Sequence, residues 1–484
     1  MGHWSYERLE RLQALGVIDG LGLSSRPLTR IQIARLIAQA IEGIEEGGFE
    51  QSALDYERSD LVEETLYELI DEYRTELIRL GFERFEIDDN GTLCGEYKLL
   101  QSVTCAKALS GLSAEEETVI ENERSRRIND GLNSRISALS WFWWRSFIAA
   151  SLSPSLNLTT DEIDPDLLEG SVNLSFLNII LEAGRTSMWW GPGHHGALLL
   201  SSNAQALDVV RLKNDRPFRL PSFLRRLGLF HCEVFLSQLE DKRVIPHALL
   251  TGMRIAYRPW SWVIFGFNHT VQFGGEGEEI PPIIDLFDLS KAGGGEEGAN
   301  HIVSVDGKIR LTRLLRYLPI ANGLVAYGEF GAEDESNMRP HFIGFLMGCY
   351  ISDLFKIPKF DYRVEFAQND YQWYNHFKYR TGYWYRGDLI GHHMGSNAQD
   401  LFMRFSRTFS NDLTVGMDFD IERSGRTLAV VETKGEWGLN FSFPYKEDNT
   451  ITVGYRMQIY RDFRNRAGED EINHILLCEV VHRF

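Results

Sequence analysis

The sequence predicts a mainly β fold, in which a small α-helical domain precedes a large transmembrane antiparallel β-barrel. The chain has 484 residues, of which 43% are hydrophobic, enough to bury a core and to exclude a disordered protein. Aromatic residues make up 12% of the chain, and 43 Gly stand against 14 Pro, which suits many long, twisted strands. The third observation is a change near residue 85, where the hydrophobic period switches from that of a helix to two. We therefore expect two domains, 1–84 and 85–484.

Residues 1–84 carry three helical patterns. Thr29 and Gln32 have the spacing of a capping box, which opens the second helix. Apolar residues at helical spacing predict a third helix over about Ser59–Leu80. The stripe of the first helix consists of Leu9, Leu12 and Leu15, and Gly16 ends it.

The start of the chain contains His3-Trp4-Ser5-Tyr6, Gly16-Val17-Ile18 and Pro27-Leu28-Thr29-Arg30. This combination resembles one S-layer homology repeat, a module that binds cell-wall polymers. The resemblance implies that residues 1–43 contact peptidoglycan or another cell-wall polymer. A purely structural helical cap is the alternative, because the usual Thr-Arg-Ala-Glu is here Thr29-Arg30-Ile31-Gln32.

After residue 85, apolar and polar residues alternate in runs about twice as long as the usual strand of about 5–6 residues. About ten residues, tilted by some 40°, span roughly 25 Å, the height of an outer-membrane apolar band. In one such strand Val415, Met417, Phe419 and Ile421 are predicted to face lipid, and Thr414, Gly416, Asp418 and Asp420 the lumen. Further alternating runs are Phe377–Arg386, Trp437–Tyr445, Ile451–Ile459 and Leu476–Phe484.

Loop lengths predict the orientation. Bacterial barrels have short periplasmic turns and longer extracellular loops. We therefore assign two short turns, Ser410–Asp412 and Lys446–Asn449, to the periplasmic side. The longer segment Asp462–Asn473 is assigned to the extracellular side as a loop. Gly274–Asn300 and Ser113–Glu123 are expected to be external or lumen-folding loops. The predicted location is the outer membrane of a Gram-negative-type cell, with the helical domain in the periplasm and a signal peptide already removed.

The segment Trp189-Trp190-Gly191-Pro192-Gly193 cannot form a regular helix or a central strand. One interpretation is a rigid aromatic surface for the flat C–H face of a pyranose ring, with His194, His195 and Asn203 beside it. The other interpretation places the two indoles in the aromatic belt at the membrane interface. The spacing alone does not choose between them.

Together with Leu199-Leu200-Ser201-Ser202-Asn203, Phe235–Asp241 and Gly391-His392-His393-Met394-Gly395, this segment resembles the capsule assembly Wzi family of outer-membrane proteins. The resemblance implies about eighteen strands and a lectin-like barrel that tethers capsular or extracellular polysaccharide, with outer-membrane lipid around it. The candidate polysaccharide-binding residues are Trp189, Trp190, Gly191, Pro192, Gly193, His194, His195, Asn203, His392 and His393.

Other function classes are disfavoured. The net charge of −19, without a basic block, argues against nucleic acid. We expect no enzyme, no cofactor and no metal, because HExxH and GxSxG are absent and adjacent histidines on a strand point to opposite faces. The adjacent carboxylates Glu240 and Asp241 fail as a glycosidase pair for the same reason. The alternative that remains is a porin with a polar, acidic lumen.

Overall fold

The structure is a computed structural model that describes residues 4–45, 56–82, 95–113, 117–145, 147–159, 163–282, 286, 298–316, 320–333, 342–446 and 448–484. The predicted domain boundary at residue 84, Cys94 and much of Gly274–Asn300 lie outside the described residues. None of the helices in the described part of the chain has the length and apolar character needed to cross a membrane.

Four helices form the start of the chain: α1 (Trp4–Leu15), α2 (Arg30–Glu45), α3 (Tyr56–Glu72) and α4 (Arg74–Arg79). The predicted capping box is confirmed, because the Thr29 amide donates to Gln32 Oε1 at 2.9 Å and the Gln32 amide to Thr29 Oγ1 at 3.3 Å. The predicted third helix is divided at Tyr73, whose φ of −108° departs from helical geometry. The Tyr73 ring is buried between the helices, and its hydroxyl lies 3.0 Å from Ser5 Oγ.

Eighteen of the described strands form a closed antiparallel barrel, which confirms the predicted fold class. Its strands are β2 (Gly95–Gly111), β5 (Gly131–Trp144), β6 (Ile148–Leu158), β7 (Ile163–Phe176), β8 (Ile179–Thr186), β10 (Leu207–Asn214), β11 (Leu229–Gln238), β12 (Leu249–Trp260), β13 (Val263–Phe273), β14 (Asn300–Arg310), β15 (Gly323–Glu333), β16 (Ile343–Ser352), β17 (Phe360–Asn369), β20 (Gln399–Thr408), β21 (Thr414–Ser424), β22 (Glu432–Tyr445), β23 (Asn449–Arg461) and β24 (Glu471–Arg483). The short strands are β1 (Ser25–Arg26), β3 (Glu117–Ile120), β4 (Arg126–Asn129), β9 (Trp189–Trp190), β18 (Trp384–Tyr385) and β19 (Asp388–Leu389).

Each barrel strand pairs with the barrel strands before and after it in the sequence, and β24 returns to β2 from Ser102↔Arg483 to Gly111↔His474. Closure pairs the backbone N–H and C=O groups of every strand with a neighbour. This is the condition for a β structure to stand in a bilayer, where water cannot satisfy backbone groups.

Strand β21 has the predicted alternation. Met417 and Ile421 are 44% and 46% exposed on the outside, whereas Asp420 is 3% exposed and points inwards. The run Phe377–Arg386 was wrongly predicted as a barrel strand. Most of it forms turns, and its only strand is the short β18.

The helical domain packs on the barrel end that carries the short connections, including 145–147, 261–262, 409–413 and 446–448. From α2, Arg35 forms a 2.8 Å ion pair with Asp215, and Gln32 Nε2 donates to the Asp215 carbonyl at 3.0 Å. Loops of the opposite end are longer, such as 187–206 and 370–398. We call these the short-turn end and the long-loop end.

Buried ion pairs from α1 fix the helical domain to the barrel. Arg11 binds Asp361 at 2.7 Å and also contacts Asp353, and all but 4% of its side chain is buried. The preceding residue, Glu10, binds Arg363 of β17 at 2.6 Å. Burial raises the pKa of Glu10, but the cations Arg363 and Arg26 outweigh burial and hold the pKa well below its ordinary value. These charges are desolvated, so each depends on its partner.

We expect Met417→Arg to lower the free energy of barrel unfolding by about 2–4 kcal/mol, because it places a charge on the lipid face near mid-membrane. Asn440→Arg is the matched control, since Asn440 points into the lumen and donates to Asp418 at 2.9 Å. Urea unfolding in lipid vesicles measures both variants. An equal loss for the two variants would contradict the assigned faces.

We expect Arg11→Met to lower the free energy of local unfolding of α1 by about 3–5 kcal/mol, because it leaves Asp353 and Asp361 as uncompensated buried charges. Arg8→Met removes a more exposed pair, to Glu68 at 2.7 Å, and should change stability by less than about 1 kcal/mol. Hydrogen exchange of the α1 amides is the measurement. Unchanged protection in Arg11→Met would show that α1 does not need these ion pairs.

Candidate functional site

Two loops of the long-loop end fold back into the barrel. We call residues 187–206 the first lumen loop and residues 370–398 the second lumen loop. The helical domain meets the first from the other side, because β1 pairs with β9 as Ser25↔Trp190 and Arg26↔Trp189. Arg254, on the inner barrel wall and fully buried, donates to Ser25 Oγ at 2.7 Å. Chain segments from both ends therefore meet inside the barrel.

The two predicted tryptophans lie in this interior. Trp189 is 4% exposed and Trp190 is 0% exposed. Trp190 packs edge-to-face on Phe235 with ring centroids 5.4 Å apart, and a Cβ at Gly252 would stand 3.0 Å from its ring. Neither indole reaches the lipid-facing surface, so the aromatic-belt interpretation is wrong for this pair. Their burial favours a structural role, and sugar contact at Trp189 and Trp190 stays a prediction.

A carboxylate of the barrel wall holds the turn that follows. Glu365 of β17 accepts the backbone N–H groups of His194, His195 and Gly196 at 2.8, 3.0 and 3.0 Å. Glu365 Oε2, the oxygen that accepts the His194 amide, also accepts a hydrogen bond from the Tyr327 hydroxyl at 2.9 Å. Hydrogen bonds to an ionised acceptor are stronger than neutral ones. Glu365 thereby fixes the path of the first lumen loop after the Gly191-Pro192-Gly193 turn.

Hydrogen bonds hold the second lumen loop against the first. The Tyr374 hydroxyl donates to the Leu198 carbonyl at 2.5 Å, and Ser201 Oγ donates to the Gly391 carbonyl at 2.6 Å. Gly196 is required here, because a Cβ at that position would lie 2.1 Å from the His392 ring. Around these contacts a buried apolar cluster fills the interior, including Trp190, Leu198–Leu200, Phe235, Tyr374, Tyr379, Tyr383 and Tyr385.

A cavity of about 670 Å³ opens above the two lumen loops, and we call it the mouth cleft. Its lining combines one half-exposed indole with charged and hydrogen-bonding side chains. Trp384 in β18 is 37% exposed and supplies the indole. Other lining residues are Arg127, Asn203, Asp388, His393, Lys434 and Tyr460. An aromatic face beside polar groups suits a ligand with flat apolar faces and many hydroxyls.

Among the predicted site residues, Asn203 and His393 line the mouth cleft. Asn203 Nδ2 also donates to the Leu389 carbonyl at 3.2 Å and joins the two lumen loops. The segment from Trp189 to Gly193 is buried and is not part of the lining of the cleft. Sequence analysis missed Trp384, because it stands within the alternating run that was assigned to a barrel strand.

Three of the four predicted histidines, His195, His392 and His393, come together beside the mouth cleft, whereas His194 lies in a separate pocket next to α1. His195 and His393 have ring centroids 4.6 Å apart, and His392 and His393 4.5 Å. Neither pair lies on a strand, so the opposite-face argument against a metal does not apply. We call Glu121, His195, His393 and Asp420 the histidine–carboxylate cluster, since their ligand atoms all lie within 4.8 Å of one another.

Protonation differs within the cluster. Burial lowers the pKa of His393 to about 4, so its ring is neutral at pH 7. Burial also opposes the charged form of His195, but the carboxylates of Asp420 and Glu121 outweigh it and raise the pKa of His195 to about 9. The neutral imidazole of His393 offers a nitrogen lone pair and the carboxylates offer oxygens, whereas His195 offers its lone pair only when a bound cation displaces its proton. With that proton released, the group has the chemistry of a metal-ligand set.

Comparison with known proteins gives consistent results. The structure is similar to that of Wzi of Escherichia coli, described as an outer membrane protein involved in group 1 capsule assembly and a carbohydrate-binding β-barrel. The TM-score is 0.68 over 98% of this chain and 97% of the other, at 16% identity, which shows a shared fold.

Sequence similarity also links the chain to an uncharacterized 55.8 kDa protein in the cps region of Klebsiella pneumoniae, with 27% identity over 179 residues. That alignment spans 36% of this chain and 34% of the relative. The model of the family described as capsule assembly protein Wzi matches residues 106–475. This match covers most of the barrel, and the chain therefore belongs to the capsule assembly Wzi family of outer-membrane β-barrels.

Proposed function

We propose that this barrel binds capsular or extracellular polysaccharide at the cell surface, without catalysing a reaction, and that the mouth cleft is the contact site. The observation that carries the proposal is the mouth cleft itself. A cavity of about 670 Å³ with a half-exposed indole lies at the long-loop end of a barrel whose family takes its name from capsule assembly.

Trp384 provides the stacking surface. A large, rigid aromatic face makes contact area at a low cost in conformational entropy, and a pyranose ring presents a flat C–H face to it. Arg127 stands beside it in the cleft and bridges Glu117 at 2.7 Å and Asp388 at 3.1 Å. These polar groups offer donors and acceptors to sugar hydroxyls, which favours a hydrated polysaccharide over an apolar ligand.

The filled interior supports binding over diffusion. The two lumen loops and the β1 segment meet in a buried apolar cluster, where a porin requires a continuous water-filled path. We therefore expect the purified barrel to conduct ions across a planar bilayer at close to the background level.

The arrangement of the two ends supports an orientation. With the short-turn end towards the periplasm, the helical domain is periplasmic and the mouth cleft is extracellular. Contact of residues 1–43 with a cell-wall polymer remains part of this proposal. Gln32, which replaces the usual Glu, is occupied by the capping box and by the Asp215 carbonyl, so any wall contact would use other side chains.

We expect Trp384→Ala to weaken polysaccharide binding about tenfold or more with little change in stability, because it removes a half-exposed stacking face. Base–aromatic stacking contributes about 1–3 kcal/mol, and a pyranose is taken to be similar. Binding of purified capsular polysaccharide to the detergent-solubilised barrel measures the effect, with Trp384→Phe as the variant that retains an aromatic face. Full binding by Trp384→Ala would contradict the cleft as contact site.

Trp190→Ala should show the opposite pattern. A buried Trp→Ala change costs about 3–5 kcal/mol through the cavity that it leaves, so we expect lower stability. Polysaccharide bound per folded barrel should stay unchanged. Heat-modifiable migration on gels gives the folded fraction. A tenfold loss of polysaccharide binding per folded barrel would instead indicate that the binding site includes Trp190 of the first lumen loop.

A further inference from the structure

The histidine–carboxylate cluster brings four parts of the chain to one point. Glu121 comes from the loop after β3, His195 from the first lumen loop, His393 from the second lumen loop and Asp420 from strand β21. Two further groups adjoin it, since Asp400 and His392 form a second possible ligand group with His393. The cluster lies under the mouth cleft, of which Glu121 and His393 are lining residues.

Several of these side chains are buried without the partners that buried polar groups require. Among the described residues, no hydrogen bond of acceptable geometry is found for Nε2 of His195, either ring nitrogen of His393, or either carboxylate oxygen of Asp420. The nearest charged groups are carboxylates within 4 Å of the Nε2 atoms, and the Lys434 ammonium 3.8 Å from Asp420 Oδ2. The His393 and Asp420 side chains are each only 4% exposed. An unsatisfied buried polar group costs about 1–3 kcal/mol, and several at one point indicate a missing ligand.

The spacing of the unsatisfied atoms matches a small coordination sphere. His195 Nε2 lies 3.6 Å from Glu121 Oε2 and 3.8 Å from Asp420 Oδ1. His393 Nε2 lies 3.5 Å from the same Glu121 oxygen. Ligand bonds of about 2.0–2.2 Å in a tetrahedral site place neighbouring ligand atoms about 3.3–3.6 Å apart, so small side-chain movements complete the sphere.

Groups around the cluster orient its ligands. Lys434 of β22 contacts the other oxygen of Glu121, which leaves Oε2 directed towards the histidines. Asp400 Oδ2 lies 3.3 Å from His393 Nε2 and 3.7 Å from His195 Nε2. Metal sites commonly have such outer carboxylates and cations, which hold the ligands in place and balance charge.

We propose that the histidine–carboxylate cluster binds one divalent transition-metal ion of the Zn²⁺ class. Two imidazole nitrogens with two carboxylate oxygens suit Zn²⁺ and its neighbours, whereas Ca²⁺ and Mg²⁺ prefer all-oxygen sites. The ion ties both lumen loops and the Glu121 loop to strand β21, which fixes the floor of the mouth cleft. This proposal is independent of the polysaccharide-binding function.

The test uses the full chain in detergent, stripped with a chelator and titrated with Zn²⁺ alone by isothermal calorimetry. We expect one Zn²⁺ per chain. His195→Ala and His393→Ala should each weaken Zn²⁺ binding about tenfold or more, and the double variant should lose it, because each removes one nitrogen ligand. Co²⁺ substitution should give the visible absorption of a low-coordinate nitrogen–oxygen site.

His247→Ala is the matched control, because His247 stands in another loop of the long-loop end with one carboxylate 3.6 Å away. It should bind Zn²⁺ like the unaltered chain. Where the double variant does not migrate as a folded barrel, isosteric Asp420→Asn replaces it under the same criterion. Equal Zn²⁺ binding by the unaltered chain and the folded cluster variant, or an absence of Zn²⁺ binding by the unaltered chain, would overturn the proposal.

Discussion

The interior of this barrel depends on the hydrogen bonds that Glu365 accepts from the first lumen loop. Three successive backbone N–H groups, from His194 to Gly196, converge on one wall carboxylate. Each hydrogen bond to a charged group contributes about 1.5–3 kcal/mol, and together they offset the entropy of ordering a loop inside the lumen. The Glu329 side chain accepts a further backbone N–H, that of Leu198, at 3.1 Å. Once this loop is fixed, the second lumen loop and β1 both have a surface to pack on.

The helical domain and the lumen loops form one continuous assembly. Contacts run from the buried Arg11 ion pairs at the short-turn end, through the β1–β9 pairing, to the mouth cleft at the other end. Packed and hydrogen-bonded groups therefore connect the two ends of the barrel. This continuity gives the helical domain a structural role in the barrel.

The mouth cleft and the histidine–carboxylate cluster lie one above the other. His393 and Glu121 line the cleft and also belong to the cluster, so the order of the cluster sets the floor on which a polysaccharide would rest. Trp384 stands in β18 of the second lumen loop, the loop that His393 ties to strand β21 through the cluster. Proposed sugar stacking on Trp384 and proposed metal binding by the cluster thus depend on one shared scaffold, with His393 and Glu121 at the boundary between them.

The sequence by itself determined the barrel, its lipid and lumen faces in β21, and the Thr29–Gln32 capping box, because these depend on residues close together in the chain. Only the tertiary structure decided where the loops lie. Alternation over Phe377–Arg386 resembled a strand because Tyr379, Tyr383 and Tyr385 are buried in the apolar cluster of the barrel interior. The contact of His194 with Glu365 joins residues 171 positions apart, and no local period encodes it. The site is assembled from such distant pairs, so its geometry required the closed barrel.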